Sequence, residues 1–163
     1  MPSVTDVEQA EGEGASLFPD FINLLHDEEG YRERVYKDSE GYLTAGLGHK
    51  LTGNDLKLYK LNDRVPDEIL QEWEKKDTEK AWEAALSQLI ELGIDAESSP
   101  EFTIVLGSVN FQLGTSWYKD HKKTWSFLKA GNYKEAAEEA ARSRWYRQTP
   151  DRVVTFQRAI RGL

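Results

Sequence analysis

The chain lacks cysteine altogether among its 163 residues. This absence excludes disulfide bridges, cysteine-ligated metals and thiol nucleophiles, and it is compatible with a reducing compartment without establishing one. The sequence also contains no CxxC or HExxH pattern. We therefore predict that the protein uses neither a metal ion nor a cofactor.

The N-terminal stretch "MPSVTDVEQAEGEGASLF" lacks both a basic segment and a continuous apolar run. It therefore cannot serve as a secretory signal or as a membrane anchor. We expect the protein to be made and kept in the cytoplasm unless something else releases it. Because residues 1–16 are acidic and rich in small side chains, we predict a flexible acidic tail, with a linker to another domain as the alternative.

An excess of basic charge is also missing, since the formal net charge is −8. Nucleic-acid binding needs many Lys and Arg side chains to neutralise phosphates, so we predict no nucleic-acid partner. The charge is unevenly distributed, because residues 117–163 contain 11 Lys and Arg against 5 Asp and Glu, whereas residues 1–116 contain 10 against 24. This asymmetry fits a basic lobe that meets an anionic polymer, or two solvated faces that happen to differ.

The sequence has enough hydrophobic residues, 39%, to build one sizeable core. "FPDFINLLHDEE" carries apolar residues at helical spacing, and Gly30 is suited to end that helix. "RVYKD" and "GYLTAGLGH" then favour strands, separated by "SEG". This pattern predicts a helix followed by a small antiparallel hairpin.

The rest of the chain reads as helices. One helix is predicted from Pro66 to Leu92, with Gly93 as its end, and at ~1.5 Å per residue it would be about 40 Å long. "SSPEFTIVLGSVNFQLG" predicts a buried central helix of a second lobe with a serine cap. "NYKEAAEEAARS" resembles a capping-box start on an asparagine, and "TPDRVVTFQRAI" begins with Thr-Pro. Together these patterns predict a mainly α, α+β protein.

Two carboxylates and a hydroxyl surround the change from helix to hairpin. Glu29 ends the first helix, where the negative end of the helix dipole favours a protonated carboxyl group. Asp38 lies on the hairpin, where it could stay ionised and handle a water molecule that Thr44 holds. Two carboxylates in unlike environments are what glycoside hydrolysis requires, although acidic helix ends and "KDSEG" turns also serve solubility and turn formation.

The run "EGYRERVYKDSEGYLTAGLGH" resembles the active-site segment of the T-even phage lysozyme family. It has a Glu, an Asp nine positions later, a Thr six further, and a closing GxGH. A second resemblance covers "NFQLG" at 110–114 and "EAAEEAARSRWYRQTPDR" at 135–152. The similarity extends over about residues 18–160, nearly the whole chain apart from the predicted tail.

This resemblance implies a lysozyme-like catalytic domain over residues 17–163. The implied architecture is a small N-terminal lobe with a short antiparallel sheet (about 17–75), a long connecting helix, and a helical C-terminal lobe (about 76–163). The implied activity is a muramidase that hydrolyses the β-1,4 bond between N-acetylmuramic acid and N-acetylglucosamine in peptidoglycan. Glu29 would protonate the leaving oxygen, Asp38 would assist the attacking water, and Thr44 would position it, with inversion at the anomeric carbon.

The resemblance also assigns supporting roles, each with a simpler structural alternative. His49 would pair with Asp77 on the long helix, mainly for stability. Arg152 would approach the catalytic Glu, or it would simply be solvated. Phe111 would contact sugar or belong to the core, and Thr124 would contact substrate or begin a helix.

Two substrate-binding positions depart from the family pattern. Lys50 stands where an apolar residue is expected, and Glu139 stands where a substrate-contacting Asn is expected. Both substitutions leave the contacts to sugar and peptide open. Neither affects Glu29, Asp38 or Thr44.

The resemblance implies a monomeric endolysin that binds peptidoglycan and causes lysis of the host cell. Lacking an export signal, it would accumulate in the host cytoplasm and reach the cell wall when a separate holin opens the membrane. Two alternatives remain: a tail-associated lysozyme module of a phage particle, and a catalytically silent wall-binding domain. The complete Glu, Asp and Thr set argues against a silent domain.

Overall fold

A computed structural model describes residues 2–163, without the side chains at positions 7, 10, 11 and 13. The fold is mainly helical with a single three-stranded antiparallel sheet, which confirms the predicted α+β class. The elements are α1 (Val4–Gly14), a 3₁₀ turn (Ala15–Leu17), α2 (Phe18–Glu29), β1 (Arg32–Lys37), β2 (Leu43–Gly46), β3 (His49–Lys50), α3 (Asn54–Leu58), α4 (Asp67–Leu92), α5 (Pro100–Leu113), α6 (Trp117–Asp120), α7 (Lys122–Lys129), α8 (Tyr133–Ala140), α9 (Arg144–Gln148) and α10 (Pro150–Arg161).

The chain divides into two compact units. Residues 22–79 form one, called the sheet unit below, and residues 2–21 with 80–163 form the other, called the helical unit. The division falls within α4. The start of the chain belongs with its C-terminal half, which the sequence did not indicate.

The sheet unit is built around the hairpin that the sequence predicts. Its strands follow the order β1-β2-β3, and Tyr36 pairs with Thr44, which in turn pairs with Lys50. One face of the sheet covers a core formed by the buried residues Val35, Ala45, Leu51, Val65, Leu70 and Trp73. Because side chains alternate across a strand, this core leaves Tyr36 and Thr44 on the other face.

The helical unit is built around α5, whose residues from Phe102 to Asn110 are almost all buried. Trp117 packs edge-on against Phe156 with ring centroids 5.8 Å apart. Beneath these rings the amides of Gln88 and Asn110 exchange two hydrogen bonds of 2.8 Å, and the Trp117 indole donates to Gln88 Oε1 at 3.0 Å. Burying these polar groups is tolerated because they satisfy one another.

The segment predicted as a flexible tail, residues 1–16, contains α1 in its described part, and Met1 lies outside the described residues. The Ser3 hydroxyl accepts from the Asp6 backbone N–H, and the Asp6 carboxylate accepts from the Ser3 N–H, so a capping box begins α1. At the other end of α1, Gly14 is buried, and a Cβ there would lie 3.4 Å from Leu86 Cδ2. In the structure α1 therefore begins with a capping box and ends on a buried glycine.

Several predicted helix caps also differ in detail. Ser99, Asn132 and Thr149 stand at the expected N-cap positions, but none of their side chains makes a capping hydrogen bond. Thr149 instead accepts a hydrogen bond from the Gln112 amide at 3.0 Å. Ser143, which the sequence analysis did not single out, caps α9 by accepting from the Tyr146 N–H.

Candidate active site

Glu29 is the last residue of α2, and the backbone explains why the helix stops there. Gly30 has a φ of +69°, a left-handed conformation that glycine adopts without strain, and its N–H donates to the His26 carbonyl at 3.0 Å. The Glu29 side chain is partly buried and lies over Gly48, in the turn between β2 and β3. A predicted general acid is thus placed at the junction of helix and sheet.

Asp38 is held by the turn that follows β1. Its Oδ1 accepts hydrogen bonds from the backbone N–H groups of Glu40 at 2.9 Å and Tyr42 at 2.8 Å. Its other oxygen, Oδ2, lies 4.0 Å from the Lys50 ammonium. The two oxygens therefore differ, since Oδ1 fixes the turn while Oδ2 has capacity left for another partner.

Thr44 lies on β2 and is almost fully buried, with 2% of its surface exposed. Its hydroxyl donates to the Tyr42 carbonyl at 2.9 Å. Because a hydroxyl has one hydrogen to donate and two lone pairs, Thr44 Oγ1 remains able to accept a hydrogen bond. It can hold a water molecule only by accepting one of that water's hydrogens.

Tyr36 is a residue of this site that the sequence analysis missed. It stands opposite Thr44 in the sheet, and the Arg32 guanidinium lies 4.2 Å from the centre of its ring. Burial raises the pKa of the Tyr36 phenol, Arg32 partly offsets this, and the charges of Glu29 and Asp38 raise it further. The charges of both candidate catalytic carboxylates therefore act on the Tyr36 phenol. Its position on β1, two residues before Asp38, was the available signal.

Lys50, the departure from the family pattern, lies in the same row of the sheet. Its ammonium is 4.7 Å from the centre of the Tyr42 ring, 3.9 Å from Glu40 Oε2 and 4.0 Å from Asp38 Oδ2. About half of the Lys50 side chain, 53%, is exposed. A half-exposed cation thus stands beside the carboxylate that would handle water.

His49 makes the expected contact with Asp77. Its Nδ1 lies 2.6 Å from Asp77 Oδ2, its Nε2 lies 3.3 Å from Asp55 Oδ2, and its ring stacks on Trp73 at 4.2 Å. Burial acts to lower the pKa of His49, but the hydrogen bonds and charges of Asp77 and Asp55 outweigh it, so the pKa is raised. With both ring nitrogens occupied, the imidazole fastens β3 to α4 and α3.

The remaining predicted residues lie in the helical unit. Thr124 is the third residue of α7 and is buried, with 3% of its surface exposed. Phe111 is partly buried at the end of α5. Glu139 Oε2 accepts from the Arg142 guanidinium at 3.1 Å, and Arg152 donates to the Ser108 hydroxyl at 3.1 Å.

Within residues 2–163, apart from the undescribed side chains, no cluster of three or more His, Asp or Glu residues is arranged to hold a metal ion. None of the helices in that same range is long and apolar enough to cross a membrane.

The chain is similar in sequence to proteins named as a peptidoglycan hydrolase and as T4-type lysozymes. The chain is 33% identical over 159 residues to "Peptidoglycan hydrolase gp36" of Pseudomonas phage phiKMV, covering 94% of this chain but only 17% of that protein. It is also similar to "Probable T4-type lysozyme 2" (29% identity) and "Probable T4-type lysozyme 1" (24% identity) of Dictyostelium discoideum, each over 80% of this chain and 86% of the relative.

The phage protein is far longer than this chain, so the match covers one region of it, whereas the Dictyostelium proteins match over most of their length. A profile of the family described as phage lysozyme matches residues 26–159, which span the helix end, the whole sheet and most of the helical unit. The chain therefore belongs to the phage lysozyme family.

Proposed function

We propose that this protein hydrolyses the β-1,4 bond between N-acetylmuramic acid and N-acetylglucosamine in bacterial peptidoglycan. The observation that carries the proposal is the arrangement of Glu29, Asp38 and Thr44 within the sheet unit, where one oxygen of Asp38 is fixed by the turn and the other is left for water. The names of the relatives, peptidoglycan hydrolase and T4-type lysozyme, agree with this reaction.

In the proposed reaction Glu29 donates its proton to the glycosidic oxygen as the bond to the anomeric carbon breaks. A water molecule donates one hydrogen to Thr44 Oγ1 and the other to Asp38 Oδ2. This leaves a lone pair of the water oxygen directed at the anomeric carbon, and Asp38 accepts the proton that the water loses. Attack by water on the face opposite the leaving group gives inversion.

The remaining residues supply support and substrate contacts. Lys50 suits a carboxylate of the peptide or lactyl substituents, because it is exposed, cationic and seated on Tyr42. We assign sugar contacts to Phe111 and further substrate contacts to Glu139 and Thr124. Thr124 is the weakest of these candidates because it is buried.

Biologically, we propose an endolysin that acts as a monomer on the cell wall and lyses the host from the cytoplasm once a separate holin has opened the membrane. The match to one region of a much longer phage protein favours a second candidate, a lysozyme module of a larger phage assembly. The native mass of the protein purified from infected cells separates a free monomer from a part of such an assembly.

The first prediction tests the acid. Glu29→Gln keeps the size of the side chain but cannot donate a proton, so we expect the clearing of outer-membrane-stripped Gram-negative cells to slow by about 10²- to 10⁴-fold with the fold intact. Asp27→Asn, which removes an exposed carboxylate from the same turn of α2, is the matched control and should clear cells at the normal rate. Wild-type clearing by Glu29→Gln would remove Glu29 from the mechanism.

The second prediction tests the division of labour between the oxygens of Asp38. An amide oxygen in Asp38→Asn can still accept from the Glu40 and Tyr42 N–H groups, while the amide nitrogen replaces Oδ2. We therefore expect a melting temperature close to that of the wild type together with a loss of turnover of order 10²-fold or more. If Asp38→Asn instead had a lower melting temperature and lost activity only to the extent that it unfolds, Asp38 would serve the turn alone.

A further inference from the structure

The carboxyl group of Glu29 occupies the space that a side chain at position 48 would need. A Cβ built on Gly48 would lie 2.8 Å from Glu29 Oε2, 3.3 Å from its Cδ and 3.6 Å from its Cβ. Real Cβ atoms essentially never approach another atom as closely as the first of these distances. The Glu29 carboxyl therefore rests directly on the backbone of Gly48.

Gly48 is confined for a second and separate reason. Its φ is +63°, in the left-handed region that side chains other than glycine rarely adopt. Of the glycines with positive φ in residues 2–163, Gly30, Gly41, Gly53, Gly93, Gly114 and Gly131 would place a Cβ in open space, and Gly46 would meet only Leu70. The conformational requirement is thus shared by many glycines, whereas the contact with Glu29 belongs to Gly48.

We infer that Gly48 is a positioning residue for the proposed acid: the bare backbone at this turn is the surface on which the Glu29 carboxyl is held in reach of the glycosidic oxygen. The inference rests on the proposed role of Glu29. It explains the second glycine of "GLGH" by the space taken up by Glu29, in addition to the needs of the turn. General acids act only over hydrogen-bond distance, so a carboxyl displaced by an added methyl group loses its contact with the leaving oxygen.

Gly48→Ala tests this inference against Gly93→Ala. Gly93 has a similar φ of +70° and nothing within 4 Å of an added Cβ, so its variant carries the same backbone strain without a displaced carboxyl. We expect Gly48→Ala to lower kcat on a soluble glycan by about 10²-fold with little change in KM, since a misplacement of roughly 1 Å has that effect. Gly93→Ala should keep both constants. An unchanged kcat in Gly48→Ala overturns the inference, whatever happens to its stability.

A set of melting temperatures keeps the test valid if Gly48→Ala folds poorly. Any loss of Tm beyond that of Gly93→Ala should disappear when Glu29→Ala is added, because this change removes the two closest atoms. It should persist with Glu29→Gln, which keeps the same shape. An excess loss that remains with Glu29→Ala would mean that the methyl group distorts the turn itself, and would overturn the inference.

The two readouts also separate this inference from the proposed function. If Glu29→Gln retained wild-type activity, the proposed acid role would fail, and with it the positioning role of Gly48. The melting temperatures would still report whether the side chain of Glu29 fills the space above Gly48. A kcat that falls in Gly48→Ala but not in Glu29→Gln would overturn both.

Discussion

At the scale of single residues, His49 is a titrating side chain with a protein contact on each ring nitrogen and across its face. Its ring is held by Asp77 and Asp55 at its two nitrogens and by Trp73 across its face. The carboxylates favour the protonated imidazolium, and their effect outweighs the opposing effect of burial on the pKa of His49. The folded state therefore binds a proton at His49 more tightly than the unfolded chain does.

The sign of the resulting pH dependence follows by linkage. Because the folded pKa of His49 lies above the value in the unfolded chain, its contribution to stability is complete below pH ~6.5 and is lost as pH rises through the folded pKa. We expect Tm, corrected for the other groups by comparison with His49→Asn, to fall across this window. Asp77→Asn should flatten the dependence, and an unchanged slope in that variant would assign the proton to another group.

At the scale of elements, α2 and α5 approach each other at a glycine. A Cβ added to Gly107 would lie 2.8 Å from two ring carbons of Phe21 and 3.2 Å from Trp82. The Phe21 ring stacks on Trp82 with centroids 4.9 Å apart. An added methyl group at position 107 would therefore meet both rings of a stacked pair.

We therefore expect Gly107→Ala to destabilise the protein by about 1 to 3 kcal/mol, even though alanine is the better helix former. Gly12→Ala in α1 is the control, since a Cβ there meets nothing within 4 Å and should stabilise the helix by roughly 0.5 to 1 kcal/mol. Urea denaturation of both variants measures the two signs. If Gly107→Ala instead stabilised the protein, the rings of Phe21 and Trp82 would have shifted to make room for the added methyl group.

The long, strongly patterned elements could be predicted from sequence, because their boundaries are set by local chemistry. The helix predicted from Pro66 to Leu92 is observed as α4, and the predicted hairpin is present with its glycine turns. The missed helix α1 depends on the burial of Gly14 against residues more than 65 positions away. Distant partners of this kind leave no periodic signal in the segment itself.

The candidate site residues also divide into those that the local sequence indicates and those that depend on contacts between distant segments. The family resemblance of the surrounding segment predicts Glu29, Asp38 and Thr44 as the site, and it also predicts the His49 contact with Asp77, which the structure shows. Asn132 and Thr149 stand at helix starts without a capping side-chain hydrogen bond, and the Thr149 hydroxyl accepts from Gln112 of α5. Tyr36 was missed because its relation to both carboxylates arises from sheet register.

At the scale of the whole molecule, charge is divided along the chain. Residues 117–163 carry an excess of six positive charges, and residues 1–116 an excess of fourteen negative charges. Peptidoglycan, the proposed substrate, is anionic. Long-range attraction and repulsion of the wall are therefore expected to oppose each other, and both are weakened by salt.

We expect activity on intact wall to pass through an optimum of ionic strength. At low salt the acidic segment repels the wall, and at high salt, with a Debye length of about 10 Å at 0.1 M, the basic segment is screened. Replacing the exposed Lys122 and Lys123 with Gln should lower activity on intact wall more than on short soluble glycans, which carry less charge. An equal loss on both substrates, or rates that do not vary with salt, would contradict this prediction. The uneven charge would then serve solubility and would not steer the wall.

The division of the helical unit into two separated stretches of chain has a consequence for synthesis on the ribosome. Phe18 and Phe21 emerge early, but Trp82, the ring against which both pack, follows some sixty residues later, and Gly107 later still. The sheet unit, which is continuous from residue 22 to 79, is complete in the meantime. The nascent chain must therefore carry Phe18 and Phe21 without their Trp82 partner while the sheet unit is already complete, which makes this interval the period in which a chaperone has most to bind.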